Sequence, residues 1–186
     1  ISARYLTNAG GTLFFSIFAV SGGHGRYELW RSDGTEAGTY AVTDGFEDLG
    51  HFTAVGDTLY FVTSNSAYSS ELWKSDGTTA GTVLVRDFNP GSASSWPDRL
   101  VNVNGTLYFR ASDEEHGVEL WKSDGSEAGT HLVADIEPGA GGSDPGNLTN
   151  VNGTLFFGLA TTCDGSGGSE LWRSDGTEAG TVLVKQ

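Results

Sequence analysis

A single cysteine, no methionine and only four prolines in 186 residues leave this chain without covalent staples. One thiol makes no internal disulfide, so packing has to supply the stability. Cys163 lies in "TTCDGSGG", which reads as an idle loop position, with intermolecular pairing as the alternative. Basic residues are scarce as well: 10 Lys and Arg stand against 24 Asp and Glu, for a net charge of −14. With no Lys/Arg cluster to offset that charge, a duplex or an anionic membrane is repelled, so no nucleic-acid partner is expected. There is no run of 18 apolar residues and no charged-then-apolar leader, so membrane insertion is not expected either. The chain opens on Ile1 rather than Met, which reads as a processed product or a portion of a longer chain. Apolar residues recur at no helical period, and β-branched and aromatic residues fill the short apolar runs.

What is present is one phrase said four times. "ELWRSDGTEAGTYAV" starts at Glu28, "ELWKSDGTTAGTVLV" at Glu71, "ELWKSDGSEAGTHLV" at Glu119 and "ELWRSDGTEAGTVLV" at Glu170. A second word precedes each: "NAGGTLFF", "AVGDTLYF", "NVNGTLYF" and "NVNGTLFF", whose threonines Thr12, Thr58, Thr106 and Thr154 are spaced 46, 48 and 48 apart. Two words in fixed order at a period in the forties mark a structural repeat. Within each unit, Gly10-Gly11, Gly56-Asp57, Asn104-Gly105 or Asn152-Gly153 separates two apolar runs, a pair suited to a hairpin turn with positive φ at both positions. A third strand carries Leu-Trp, and "SDG" reverses the chain into a fourth. Runs such as Leu107-Tyr108-Phe109 and Val182-Leu183-Val184 are apolar at consecutive positions, so both faces of each sheet are expected to be covered.

A four-stranded sheet that must be sandwiched between copies of itself is a propeller blade. The expected fold is therefore all-β, a four-bladed β-propeller filling residues 1–186 as one domain, with blades at about 3–44, 48–89, 96–138 and 145–186. The alternative is an open arc of blades, part of a larger propeller or a filament. No strand is left over to complete a blade shared by both ends, so closure would rest on contact between first and last blades. Where that contact fails, the free faces meet another molecule, and head-to-tail contacts that do not close make filaments.

The words "ELWRSDGTEAGT" and "NVNGTLYF", with "DFNPGSASS" between units, closely resemble the ELWxxDGT repeat family of bacterial exported or surface-located proteins. The resemblance covers essentially the whole chain. It implies propeller-like repeats and an extracellular or cell-surface setting, and it brings no catalytic residues. The first repeat departs from the pattern, because "TDGFEDLG" replaces the longer "NPGSASS" type of linker.

Candidate residues follow from the repeat. Trp30, Trp73, Trp121 and Trp172 each follow a Glu by two positions and precede a basic residue, a set that repeat lectins use on sugars. Core packing is the favoured reading, since burying about 150–250 Å² of indole stabilises by roughly 4–6 kcal/mol at most. Asp33, Asp76, Asp124 and Asp175 are expected to accept backbone N–H groups in their turns, with calcium ligation as the minority reading. Trp96 lies outside the repeated words and reads either as a cover over a gap between blades or as a contact patch for a partner or sugar. Asp87, Asn89, Asp135 and Glu137 flank Pro-Gly turns but lack the twelve-residue ligand loop of a calcium site. His24, His51, His116 and His131 are scattered, with no zinc-like pairing. Of the sequons at Asn104, Asn147 and Asn152, Asn147 is the least hindered candidate for glycosylation. The twelve-residue stretches between Phe15 and Glu28 and between Phe157 and Glu170 are the expected binding edge. No enzymatic activity and no cofactor are expected. The function read from these residues is a noncatalytic structural or interaction module that self-assembles, with a glycan-binding lectin as the alternative.

Overall fold

The protein's computed structural model describes residues 2–21, 24–64, 69–90, 94–160 and 168–186. The described residues form sixteen strands and no helix, in four separate four-stranded antiparallel sheets. The first comprises β1 (Ala3–Ala9), β2 (Thr12–Ser21), β3 (His24–Ser32) and β4 (Tyr40–Phe46), and the second β5 (Asp48–Val55), β6 (Thr58–Ser64), β7 (Glu71–Ser75) and β8 (Val83–Arg86). The third holds β9 (Asp98–Val103), β10 (Thr106–Asp113), β11 (Gly117–Ser123) and β12 (His131–Ala134). The fourth holds β13 (Gly146–Val151), β14 (Thr154–Ala160), β15 (Ser169–Ser174) and β16 (Val182–Lys185). Each is a simple meander, every strand pairing with its neighbour in sequence.

The tight turns between first and second strands follow their side-chain chemistry. Gly10, Gly11, Asn104, Gly105, Asn152 and Gly153 all have positive φ, as a turn left-handed at both positions requires. The second sheet differs from the expectation: Gly56 has φ 60° while Asp57 is outside the left-handed region. Glycine at the first turn position alone permits this variant, and it spares Asp57 the strain. The Asp57 side chain then lies where a Cβ on Gly10 would stand, so the two hairpins meet at their tips.

The chain divides into two compact units, Ile1–Ser95 and Trp96–Gln186. In the first unit, Phe14, Leu29, Val42 and Phe46 of the first sheet are buried together with Leu49, Leu59 and Phe61 of the second, and Trp73 packs against them. In the other unit, Val103, Tyr108, Leu120 and Val133 of the third sheet cluster with Leu155, Phe157 and Leu159 of the fourth, flanked by Trp172. The same repeat positions do the packing in both units. We call the side of each sheet that carries Phe14, Leu29 and Val42, or their equivalents, its forward face, and the side carrying Phe15 and Trp30 its rear face.

Coverage of the sheets is uneven. Leu59, Tyr60, Phe61 and Val62 of the second sheet are all buried, as are Leu107, Tyr108 and Phe109 of the third. The expectation for Val182-Leu183-Val184 is corrected: Val184 is exposed because the forward face of the fourth sheet carries no further sheet of its unit, and Leu183, beside Trp172 on the rear face, is exposed as well. The expected long loop after Phe15 is also corrected. Pairing continues from Phe18 with Tyr27 out to Ser21 with His24, so a long hairpin replaces most of it. In the matching stretch after Phe157, residues 161–167, Cys163 included, lie outside the described residues.

Candidate functional site

The repeated word closes a turn on itself. In the first copy, Asp33 Oδ1 accepts the Thr35 N–H at 2.9 Å and its hydroxyl at 2.7 Å, while Thr35 Oγ1 accepts the Gly38 N–H at 2.9 Å. Ser32 Oγ accepts the Gly34 N–H at 3.0 Å and bonds the Thr39 hydroxyl at 2.6 Å. The same bonds recur at Asp76, Asp124 and Asp175, with Ser126 in place of threonine at Asp124. The threonine or serine hydroxyl holds each of these carboxyls below the usual aspartate range. A Cβ on Gly38 would stand 2.0 Å from Asp33 Oδ1, which explains the second glycine of the word. These four aspartates thus act as turn acceptors. Among the described residues no group of three or more His, Cys, Asp or Glu side chains is placed to hold a metal ion.

The four glutamates of the word divide into two kinds. Glu71 and Glu119 are buried, and each grips the linker that follows its sheet. Ser95 donates its N–H to Glu71 Oε1 at 3.2 Å and its hydroxyl to Oε2 at 2.6 Å. Ser143 does the same to Glu119 at 2.8 and 2.6 Å, and the Glu137 N–H adds a bond at 3.3 Å. Burial pushes the Glu71 carboxyl up to about 6, against the opposing pull of the serine bonds, and pushes Glu119 up as well. Glu28 and Glu170 instead accept their own tryptophans, from Trp30 Nε1 at 2.8 Å and Trp172 Nε1 at 2.9 Å. In the first sheet the reason is the short linker, since β4 and β5 are separated by Glu47 alone. Phe46 fills the space, edge-on to Phe61 and Trp73.

The tryptophans sit on the rear faces. Trp121 is buried and donates to Ala111 O at 3.1 Å, while Trp30, Trp73 and Trp172 are half-buried. Trp30 stacks on Phe15 and Trp172 on Phe157. Trp96 is 70% exposed and has φ 49°, between Ser95 and Pro97. Asp144 occupies the corresponding place with the same φ, and both it and Asp98 bind Arg110. Asn147 is exposed at φ 56°.

One set escaped the sequence reading. Tyr5, His51, Arg99 and Asn147 all have left-handed φ of 53–57°, each next to a register shift in the first strand of its sheet. Their spacing of 46, 48 and 48 equals that of the hairpin threonines. Their letters differ in every copy, so no shared word marks the bulge. Non-glycine residues held there cost of order 1–3 kcal/mol.

Polar bonds fix how one sheet seats on the next. In the first unit Arg31 Nη1 donates to Gly77 O at 3.4 Å, and the Thr79 hydroxyl donates to Val42 O at 2.7 Å. In the other unit Lys122 Nζ donates to Gly176 O at 2.7 Å, and Asn104 and Asn150 side chains bond Gly153 O and Asn102 O. A forward-facing cation thus meets the turn glycine of the following sheet in both. On the fourth sheet the corresponding forward face is open: Val151 is 47% exposed, Leu171 43% and Val184 48%, with Phe156 half-buried. Phe156, Gly158, Leu171 and Thr149 line a shallow groove of about 320 Å³ on that face.

No protein-family profile matches the chain, and no curated protein does. Solved structures do. An acylaminoacyl peptidase from Pyrococcus horikoshii is similar over 100% of this chain and 27% of its own, at 13% identity and a TM-score of 0.59. A puromycin hydrolase S511A mutant complexed with PGG matches 95% of this chain and 27% of its own, at 16% identity and a TM-score of 0.58. Prolyl oligopeptidase B from Galerina marginata matches 95% and 25%, at 16% identity and 0.51. The matched parts are β-propeller domains, and the likeness shows a propeller-like all-β fold. The chain spans about a quarter of the length of these enzymes.

Proposed function

We propose that this chain is a noncatalytic interaction scaffold, a set of propeller blades working outside the cell or on its surface and assembling with copies of itself. The observation that carries this reading is the open forward face of the fourth sheet, where Val151, Leu171 and Val184 are exposed although their counterparts in the third sheet are buried. Apolar surface of this kind marks an association site. Of the closed four-bladed ring and the open arc, this reading takes the open arc, whose ends remain available for filaments or layers. The ELWxxDGT resemblance supports the exported setting. The noncatalytic reading is supported by the repeated acids, which are engaged as acceptors in their own turns and linkers. Light scattering on the purified chain tests the proposal. A molar mass that grows with concentration is expected; a single-chain mass throughout, or turnover in a hydrolase screen, contradicts it.

A glycan-binding reading is favoured by one observation, the 70% exposure of Trp96 on a left-handed turn. An exposed indole offers a face to a sugar ring. Glycan-array binding that Trp96→Ala removes would establish this second reading, and an array without hits would end it.

A further inference from the structure

The seating pattern repeated inside each unit specifies what belongs on the open face. Every forward face offers an apolar patch and one cation: Phe14, Leu29 and Val42 with Arg31, then Tyr108, Leu120 and Val133 with Lys122. Every receiving rear face offers a leucine, a phenylalanine and a tryptophan with the carbonyl of a turn glycine: Leu59, Phe61 and Trp73 with Gly77, then Leu155, Phe157 and Trp172 with Gly176. On the fourth sheet the forward set is Phe156, Leu171 and Val184 with Arg173, and Arg173 is exposed where Arg31 and Lys122 are half-buried. On the first sheet the rear set is Leu13, Phe15 and Trp30 with Gly34. Those three side chains are half-buried, and Gly34 is exposed, with nothing within 4 Å of the place of a Cβ, while Gly77, Gly125 and Gly176 are buried.

We propose that the fourth sheet of one copy docks onto the first sheet of a second copy, forward face on rear face, with Arg173 donating to the partner's Gly34 carbonyl. This rests on the self-assembly reading above and gives it surfaces and a direction. Matching apolar patches supply the attraction, and the cation-to-carbonyl bond sets the register. Because two different faces meet, the contact is heterologous, and each docked copy presents the same two faces again.

The test uses two variants of the full chain at exposed positions, so that folding survives: Val184→Arg on the forward face and Ala41→Arg, next to Trp30 on the rear face. Sedimentation velocity is run on each alone and on an equimolar mixture, with circular dichroism as the folding check. The expected result is growth beyond a dimer for the unaltered chain, a monomer for each variant alone, and a heterodimer for the mixture, which keeps one intact pair of faces. Arg173→Glu serves as a second forward-face variant and is expected to weaken association at least tenfold. If Val184→Arg is monomeric while Ala41→Arg still dimerises, like faces meet and the proposal is overturned. Association that neither arginine weakens overturns the docking surfaces and leaves self-assembly standing, whereas an unaltered chain that never associates overturns both.

Discussion

Replacing the glutamate of "ELW" by alanine should cost very different amounts in the four copies, although the letter and its neighbours are the same. Glu119 is fully buried and accepts three donors, two of them from Ser143 at 2.8 and 2.6 Å. Hydrogen bonds to a charged group contribute about 1.5–3 kcal/mol each, and the raised carboxyl pKa shows that desolvation already offsets part of this. Removing the side chain also strands the Ser143 and Glu137 donors, so Glu119→Ala is expected to destabilise by roughly 3–5 kcal/mol. Glu71→Ala should behave alike through Ser95. Glu170 instead holds Trp172 Nε1 and, at the surface, Gln186, so Glu170→Ala should cost about 0.5–1 kcal/mol. Glu28→Ala should match it. Thermal unfolding followed by tryptophan fluorescence separates the pairs, since about 3–5 kcal/mol lowers Tm by roughly 10 °C in a chain of this size. Four equal shifts would refute the linker clamp.

Three further outcomes are expected. The Glu71 carboxyl is raised from 4.5 to about 6, so between those values the folded chain binds more protons than the unfolded one. Stability from this group therefore rises as pH falls from about 6 to 4.5, by roughly 1–2 kcal/mol, and pH-dependent urea unfolding of Glu71→Gln should lose that rise. The turn aspartates, with lowered pKa values, act in the opposite sense: their stabilisation is lost as pH falls below the ordinary aspartate range, which acid titration of Asp124→Asn should show as a smaller loss. Gly129→Ala should destabilise by about 1–3 kcal/mol, because its Cβ would meet Asp124 Oδ1 at 2.1 Å. Combining it with Asp124→Ala should cost clearly less than the sum of the two single changes, and strict additivity in urea midpoints would contradict the contact.

Repetition made most of the architecture readable. A word that returns every 46–48 residues reports one unit of structure, and consecutive apolar letters report burial at Leu107-Tyr108-Phe109 though not at Val182-Leu183-Val184. The polar letters of "SDGT" were equally legible, because each is satisfied within a few residues of itself. Differences between copies were not legible, because they depend on what lies across from each copy. Glu71 and Glu170 share a word, yet one is enclosed by the Ser95 linker and the other is not. Val133 and Val184 share a place, yet only the former has a sheet in front of it. The bulge residues Tyr5, His51, Arg99 and Asn147 were hidden for another reason: backbone position is repeated there while side-chain identity is not.

Forward face on rear face is the packing seen within each unit, and the same packing is proposed between copies. An electron cryo-microscopy map of the associated particle tests this most directly. The predicted map has the fourth sheet of one copy about 10 Å from the first sheet of the next, with Val184 and Leu171 facing Trp30 and Phe15. A map with like faces paired, or with Val184 and Trp30 both in solvent, would contradict it.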